Sequence, residues 1–411
     1  MLCGCGERLS TCFDRVVRER LVRQLGLVDA TTIGLGSMLG AGVFVAFAPA
    51  AAAAGSGLLA ALVVAAFVAY CNASSSARLA ARYPESGGTY VYGREQLGEW
   101  WGFAAGWGFV VGKIASCAAM ALVFASYVAP GYEKLVAVGA VVVLTTVNYR
   151  GITRTAALTR VLLAIVIVVL TTVVVLGLPS AHWRPVAWDA GGILQAAGLL
   201  FFAFAGYARI ATMGEEVRDP RRTIPRAILA ALAAAVLIYL VIGGTVLGVL
   251  GPERLALSSA PLADMLAQTG NPSVIARVGA AAASLGALLA LIAGVGRTSL
   301  AMARNRDLPS VFAAVHPRFS VPHKAEIAVG VVVCGLVLAF DVRGAIGFSS
   351  FGVLVYYAIA NASAFRMDRS WVAVAGFAGC VALVAFLPLS SVLIGLGVFA
   401  AGLLGRLALR R

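Results

Sequence analysis

The sequence predicts an all-α integral membrane protein of about twelve transmembrane helices, and three observations carry that prediction. Across 411 residues the chain is 61% hydrophobic and 12% charged, whereas a soluble domain carries about 25% charged residues. Its apolar residues return in runs of about 20, the length that crosses a hydrocarbon layer of about 30 Å as a helix. Its basic residues gather in alternate loops, the pattern left by cytoplasmic retention of Lys and Arg.

Taken in chain order, the apolar runs fall near 27–53, 57–80, 100–129, 134–149, 158–178, 191–215, 225–250, 272–303, 325–341, 344–366, 371–388 and 389–407. Little more than Pro388 separates the last two, so eleven spans with a long final one fit the same pattern. Residues 1–26 form a basic segment, ERLSTCFDRVVRERLVRQLG in its second part, that runs directly into the first span. Because this stretch is basic and amphipathic and leads straight into the apolar run, no cleavable signal peptide is expected, and the first span is expected to serve as an uncleaved signal.

A net charge of +14 points in general to nucleic acid or to an anionic surface, and location decides between them. With the amino terminus inside, the inner loops receive Arg8, Arg15, Arg18, Arg20, Arg23, Arg78, Arg82, Arg94, Arg150, Arg154, Arg160, Arg218, Arg221, Arg222 and Arg226. They also receive Arg304, Arg306, Arg318, Lys324, Arg366, Arg369, Arg406, Arg410 and Arg411, against only Lys134, Arg184, Arg254, Arg277 and Arg343 outside. The imbalance accounts for the charge without nucleic acid and places both termini in the cytoplasm of a multi-pass inner (plasma) membrane protein surrounded by lipid. Cys3, Cys5, Cys12, Cys71, Cys117, Cys334 and Cys380 show neither zinc spacing nor a disulfide framework. His182, His316 and His323 all fall in loops, and no His or carboxylate cluster falls inside a span. No metal, cofactor or enzymatic activity is therefore expected.

Two spans are interrupted. The first contains GLGSMLGAGVF, with Gly34, Gly36, Gly40 and Gly42, and the sixth contains FFAFAGYARIATMGEE, with Gly206 in its middle. Each helix-interior glycine costs about 1 kcal/mol relative to alanine, and one alone often serves only close helix packing. The spacing in the first span favours local unwinding. Spans one and six open two successive groups of five, and an odd number of helices makes the second group enter from the opposite face. This is the arithmetic of an inverted repeat, dividing the chain into helices 1–5 over 27–178, helices 6–10 over 191–366 and a final pair with a short basic tail over 371–411. Paired interrupted segments at corresponding places point to a carrier's midplane binding site.

Unwinding frees backbone groups that hydrocarbon cannot satisfy, so a break must face protein, water or solute. The amides of Gly40, Ala41 and Gly42 would open the outer half-helix, where its positive end favours a carboxylate. Carbonyls near Gly36 and Ser37, and near Phe204 and Ala205, could accept from an ammonium, so a zwitterion fits both ends. Lys113, Arg209 and Arg297 sit at membrane depth, where an ionisable group is a functional candidate. Arginine holds its proton at accessible pH, which leaves Lys113 as the only proton carrier among them; a lysine reaching interfacial water is the alternative. Arg297 either pairs with Glu215 or Glu216 as an inner gate or is a solvated inner charge.

At GSMLGAGVF (36–44), YPESGGTYVY (83–92), GWGFVVGKIASCAAMAL (106–122), FAGYARIATMGEEVRDPRRTIPRAI (204–228) and MARNRDLP (302–309) the chain resembles amino acid permeases of the amino acid, polyamine and organocation superfamily. The resemblance covers almost the whole length and includes bacterial relatives of cationic amino acid transporters. It implies a LeuT-like five-plus-five inverted repeat with two further helices, moving amino acids by alternating access. An amine or polyamine transporter or exchanger of the same superfamily is the competing expectation.

Carried onto this chain, the family's carboxylate loop falls on Gly40, Ala41 and Gly42. Its amine-facing backbone falls on Thr32, Ile33 and Gly36, and on Phe204, Ala205 and Gly206, with Phe202 where antiporter relatives carry an aromatic gate. Two departures follow. Ala208 stands where several cation-selective relatives have an acidic residue, which favours neutral amino acids. Val166 stands where some proton-coupled relatives place a lysine, so a coupling proton would have to use another group. The resemblance leaves open symport or antiport and monomer or homodimer.

Overall fold

The computed structural model describes residues 25–410 except 85–86, 151–154, 183–184, 186–187, 212, 214–216 and 320. The segment 1–24, Arg154, Arg184, Arg411, Glu215 and Glu216 lie outside the described residues, so the proposed pairing of Arg297 with either glutamate does too.

Among the described residues the regular structure is helical. The first span is α1 (Leu27–Met38), α2 (Gly42–Val45) and α3 (Phe47–Ala54). Then come α4 (Leu58–Arg82), α5 (Thr89–Leu97), α6 (Glu99–Val128), α7 (Glu133–Tyr149) and α8 (Thr155–Gly177). The sixth span is α9 (Ala190–Phe204), a 3-10 turn (Ala205–Tyr207) and α10 (Ala208–Ala211). The chain continues through α11 (Pro220–Leu257), α12 (Pro261–Gln268), α13 (Val274–Arg304), α14 (His323–Ala339), α15 (Val342–Asp368), α16 (Trp371–Phe386) and α17 (Leu389–Leu409).

Nine stretches among the described residues are long and apolar enough to cross a membrane. Three shorter helices, α7 and α14 with 17 residues each and α16 with 16, fill the remaining expected places. Pro388 ends one helix and caps the next, which settles the last pair as two helices. Two elements went unforeseen: α5 and α12 occupy segments read as loops, because both are short and polar enough to escape a search for spans.

Local chemistry explains several boundaries. The Asp189 carboxylate accepts from the amides of Gly191 and Gly192, both at 3.1 Å, and starts α9. Pro220 stands at the first position of α11, where a missing amide hydrogen costs nothing. Gly251, at φ 72°, interrupts α11 and turns its last residues aside.

Packing gives the helices a paired organisation. The second and seventh spans, α4 and α11, lie against each other; α1 packs on α11 and α9 packs on α4. The third and eighth spans, α6 and α13, form a second pair, with α6 also on α15 and α13 also on α8. The first span touches the fifth through α1 and α8, and the sixth touches the tenth through α9 and α15. Exchanging spans one to five for spans six to ten maps this set of contacts onto itself. The interrupted helices thus lie in a bundle with spans two and seven, flanked by spans three, eight and ten.

Candidate functional site

Both interruptions are present. In the first span the helix ends at Met38 and resumes at Gly42, with Leu39, Gly40 and Ala41 between. Gly34 and Gly36, read from sequence as part of the unwinding, lie inside continuous α1, so only Gly40 and Gly42 mark the break. The Phe44 amide bonds the Ala41 carbonyl at 3.0 Å and the Ala46 amide bonds that of Gly42 at 2.9 Å. Gly42 and the residues just before it therefore stand where a helix's first donors lack internal partners. In the sixth span the helix tightens into the 3-10 turn Ala205–Tyr207 before α10.

The two breaks meet. A side chain at Gly206 would overlap the carbonyl group of Ser37, and a Cβ at Gly42 would stand 2.8 Å from the Ala203 Cα. Glycine is required at both places because backbone approaches backbone. Gly40, Ala41, Gly42, Phe202, Phe204, Ala205 and Ala208 are buried, whereas Thr32, Ile33, Gly36, Ser37 and Gly206 are partly exposed. The carbonyl of Ile33 is already used by the Ser37 hydroxyl at 2.8 Å.

Side chains from the neighbouring spans hold the carbonyls freed by the breaks. The Tyr239 hydroxyl on α11 faces the Met38 carbonyl at 2.6 Å and the Ala203 carbonyl at 3.0 Å. A phenol carries one proton, so the two carbonyls share a single donor. The Phe204 ring stands edge-on to Tyr239 at 5.1 Å and fixes it. The Lys113 ammonium on α6, itself 6% exposed, donates to the Ala205 carbonyl at 3.1 Å. Further out, the Tyr127 hydroxyl donates to the Phe44 carbonyl at 2.8 Å, and the Leu262 amide donates to that hydroxyl at 3.3 Å. An unpaired carbonyl in a membrane interior costs several kcal/mol, so these three side chains stabilise backbone that the helix no longer serves.

Sequence reading placed Lys113 at membrane depth but gave it no partner; the fold supplies one, at a carbonyl expected to meet the substrate's ammonium. Tyr239 and Tyr127 were missed, since a tyrosine in an apolar run carries no periodic signal of its role. Arg209 is half-buried at the start of α10, and Arg297 is exposed on α13. Val166 is buried in α8.

A second polar cluster joins α5, the start of α6 and the end of α17 to Asp307 just after α13. Asp307, 1% exposed, accepts from Tyr90 at 2.8 Å, Arg94 at 3.2 Å, Arg406 at 2.8 Å and Arg410 at 3.3 Å. Arg406 lies over the Trp100 and Phe103 rings at 4.3 and 4.9 Å. Glu99 joins Arg94 and Arg410 at 3.1 and 2.6 Å. Arg94, Arg406 and Arg410 were counted in sequence only as inner-loop charges. In the structure Arg406 is fully buried, because α17 carries it back onto the start of α6.

Two broken helices crossing in a membrane bundle, their free peptide groups held by spans three and seven, define a polytopic membrane protein of the transporter class. The chain belongs to the amino acid permease family, whose model matches residues 25–400. It is 60% identical to an uncharacterized transporter of Mycobacterium tuberculosis, over 94% of this chain and 91% of that protein. It is 27% identical to the branched-chain amino acid permease of Bacillus subtilis, over 75% of this chain and 72% of that one. With human cationic amino acid transporter 4 it shares 29% identity over 87% of this chain and 61% of that one.

Proposed function

We propose that the chain is a secondary active transporter that carries a neutral amino acid across the inner membrane by alternating access, with both termini cytoplasmic. Residues 27–178 and 191–366 act as the two inverted repeats. The substrate carboxylate binds the amides of Gly40, Ala41 and Gly42, and its ammonium takes a place among the carbonyls that Tyr239 and Lys113 now hold. One observation carries this reading: the two interrupted spans pack backbone against backbone at Gly42 and Gly206, and a carbonyl from each, Met38 and Ala203, shares the single Tyr239 donor.

Lys113 supports proton coupling. Its ammonium donates to a carbonyl at the break, and loss of its proton would remove the charge that strengthens this bond, so that an incoming ammonium competes for the carbonyl. Ala208, at the first turn of α10, supplies no anion for a dibasic side chain. A cationic amino acid or polyamine remains the competing substrate class, since one relative carries the name of a cationic transporter. The deciding experiment is uptake into proteoliposomes containing the purified chain, comparing leucine, alanine, arginine and putrescine with and without an inward proton gradient. Gradient-driven accumulation of neutral amino acids is expected; accumulation of arginine or putrescine alone would overturn the assignment.

A further inference from the structure

The ninth span carries a carboxyl group that the two breaks do not use. Glu326 lies in the first turn of α14 and is 2% exposed, with Oε2 buried and without a hydrogen-bond partner among the described residues. It fits beneath Gly296 of α13, where a Cβ would stand 2.7 Å from the Glu326 Cγ. Arg297, the next residue on α13, is within electrostatic reach. No ion pair joins the two among the described residues. A carboxylate oxygen removed from water without a donor is costly, by several kcal/mol. A protonated carboxyl avoids most of that cost.

A route to the surface adjoins it. One turn earlier on α14, His323 has a buried Nδ1 without a partner among the described residues. Its ring stands edge-on to His316 at 5.3 Å and to Tyr149 at 6.0 Å. His316 is partly exposed, and its Nδ1 accepts from the Arg318 and Phe319 amides.

The other titratable groups on elements packed against α14 are engaged elsewhere or exposed. On α7, Glu133 bonds the Gly131 amide and Lys134 the Leu338 carbonyl. On α6, Glu99 pairs with Arg410, Lys113 holds Ala205 with Cys117 beside it, and Tyr127 holds Phe44. On α13, Arg277 bonds the Tyr127 carbonyl and Arg304 is exposed, as is Lys324 on α14 itself. The 3-10 turn Ser310–Ala313 has no titratable side chain. Arg297 is thus the charged group that faces Glu326.

We propose that Glu326 is a proton-binding site of this protein, loaded in the present conformation and emptied when its oxygens gain Arg297 as an ion partner, with His323 and His316 leading the proton to the inner surface. The reaction is one O–H bond broken or made, the proton leaving to or arriving from the imidazoles. Motion between the inner ends of α13 and α14 is what exchanges the two states. The link of this site to transport rests on the transporter reading above; the site itself does not.

The test is infrared difference spectroscopy of the full chain in lipid as pH is changed. A protonated-carboxyl C=O band at neutral pH is expected in the wild type and lost in Glu326→Gln. Arg297→Gln, which leaves the buried carboxyl in place, should carry the band to higher pH, because the charge favouring the carboxylate is gone. An identical spectrum in wild type and Glu326→Gln, or an unmoved band in Arg297→Gln, overturns the proposal. Leucine counterflow in the same vesicles should depend on pH in the wild type and become flat in Glu326→Gln. A band lost in Glu326→Gln supports the site even where leucine is not carried, so the two readings fail separately.

Discussion

The ammonium of Lys113 donates to the carbonyl oxygen of Ala205 at 3.1 Å, tying the third span to the break in the sixth. This side chain occupies the kind of backbone group that a substrate ammonium would use. A protonated ammonium is a stronger donor than the neutral Tyr239 hydroxyl at the same break.

We predict that Lys113→Ala abolishes proton-driven accumulation while exchange of amino acids persists. The carbonyl of Ala205 then becomes permanently free, and no group at the break changes its charge. Uptake against a gradient driven by acid outside, measured beside counterflow, checks this. Retained uphill uptake in the variant would remove Lys113 from coupling.

Tyr239→Phe should leave the chain folded but slow transport by roughly ten- to a hundredfold. The variant removes the hydroxyl donor shared by the Met38 and Ala203 carbonyls, a loss of about 1 to 3 kcal/mol. Initial uptake rates in proteoliposomes, normalised to protein, are the measurement, and rates equal to wild type would deny the tyrosine its role at the breaks.

For Gly42→Val we expect complete loss of transport with expression preserved. Its Cβ would stand 2.8 Å from the Ala203 backbone, and the added methyl groups would fill the place proposed for the carboxylate. Near-normal uptake in cells expressing the variant would refute the assignment of that loop.

Asp307→Asn should lower thermal stability sharply, because Arg406, buried against Trp100 and Phe103, would lose its buried carboxylate partner and keep only the exposed Glu99 at 3.8 Å. Breaking such a pair costs about 3 to 5 kcal/mol. Adding Arg406→Met to the Asp307→Asn variant removes the stranded charge and should recover much of the loss. Thermal unfolding of the purified variants decides it; an unchanged midpoint for the single variant would contradict the buried-pair account.

Composition and apolar runs were enough to place the nine long membrane-crossing stretches among the described residues and the two glycine breaks, since lipid leaves few backbone solutions and each span reports itself locally. The same local signal could not separate Gly34 from Gly40. Both are glycines in one apolar run, and only the packing of α1 and α2 against the sixth span shows which of them opens the helix. Nor could it show that Tyr239 reaches two carbonyls, that Lys113 finds Ala205, or that Arg94 and Arg406 converge on Asp307 from 213 and 99 residues away. Sequence determined which segments must enter the membrane, because hydrophobic free energy is a property of each segment alone. Tertiary structure decided which polar groups meet inside it, because the partner that satisfies a buried charge or a freed carbonyl is set by the contact of distant helices.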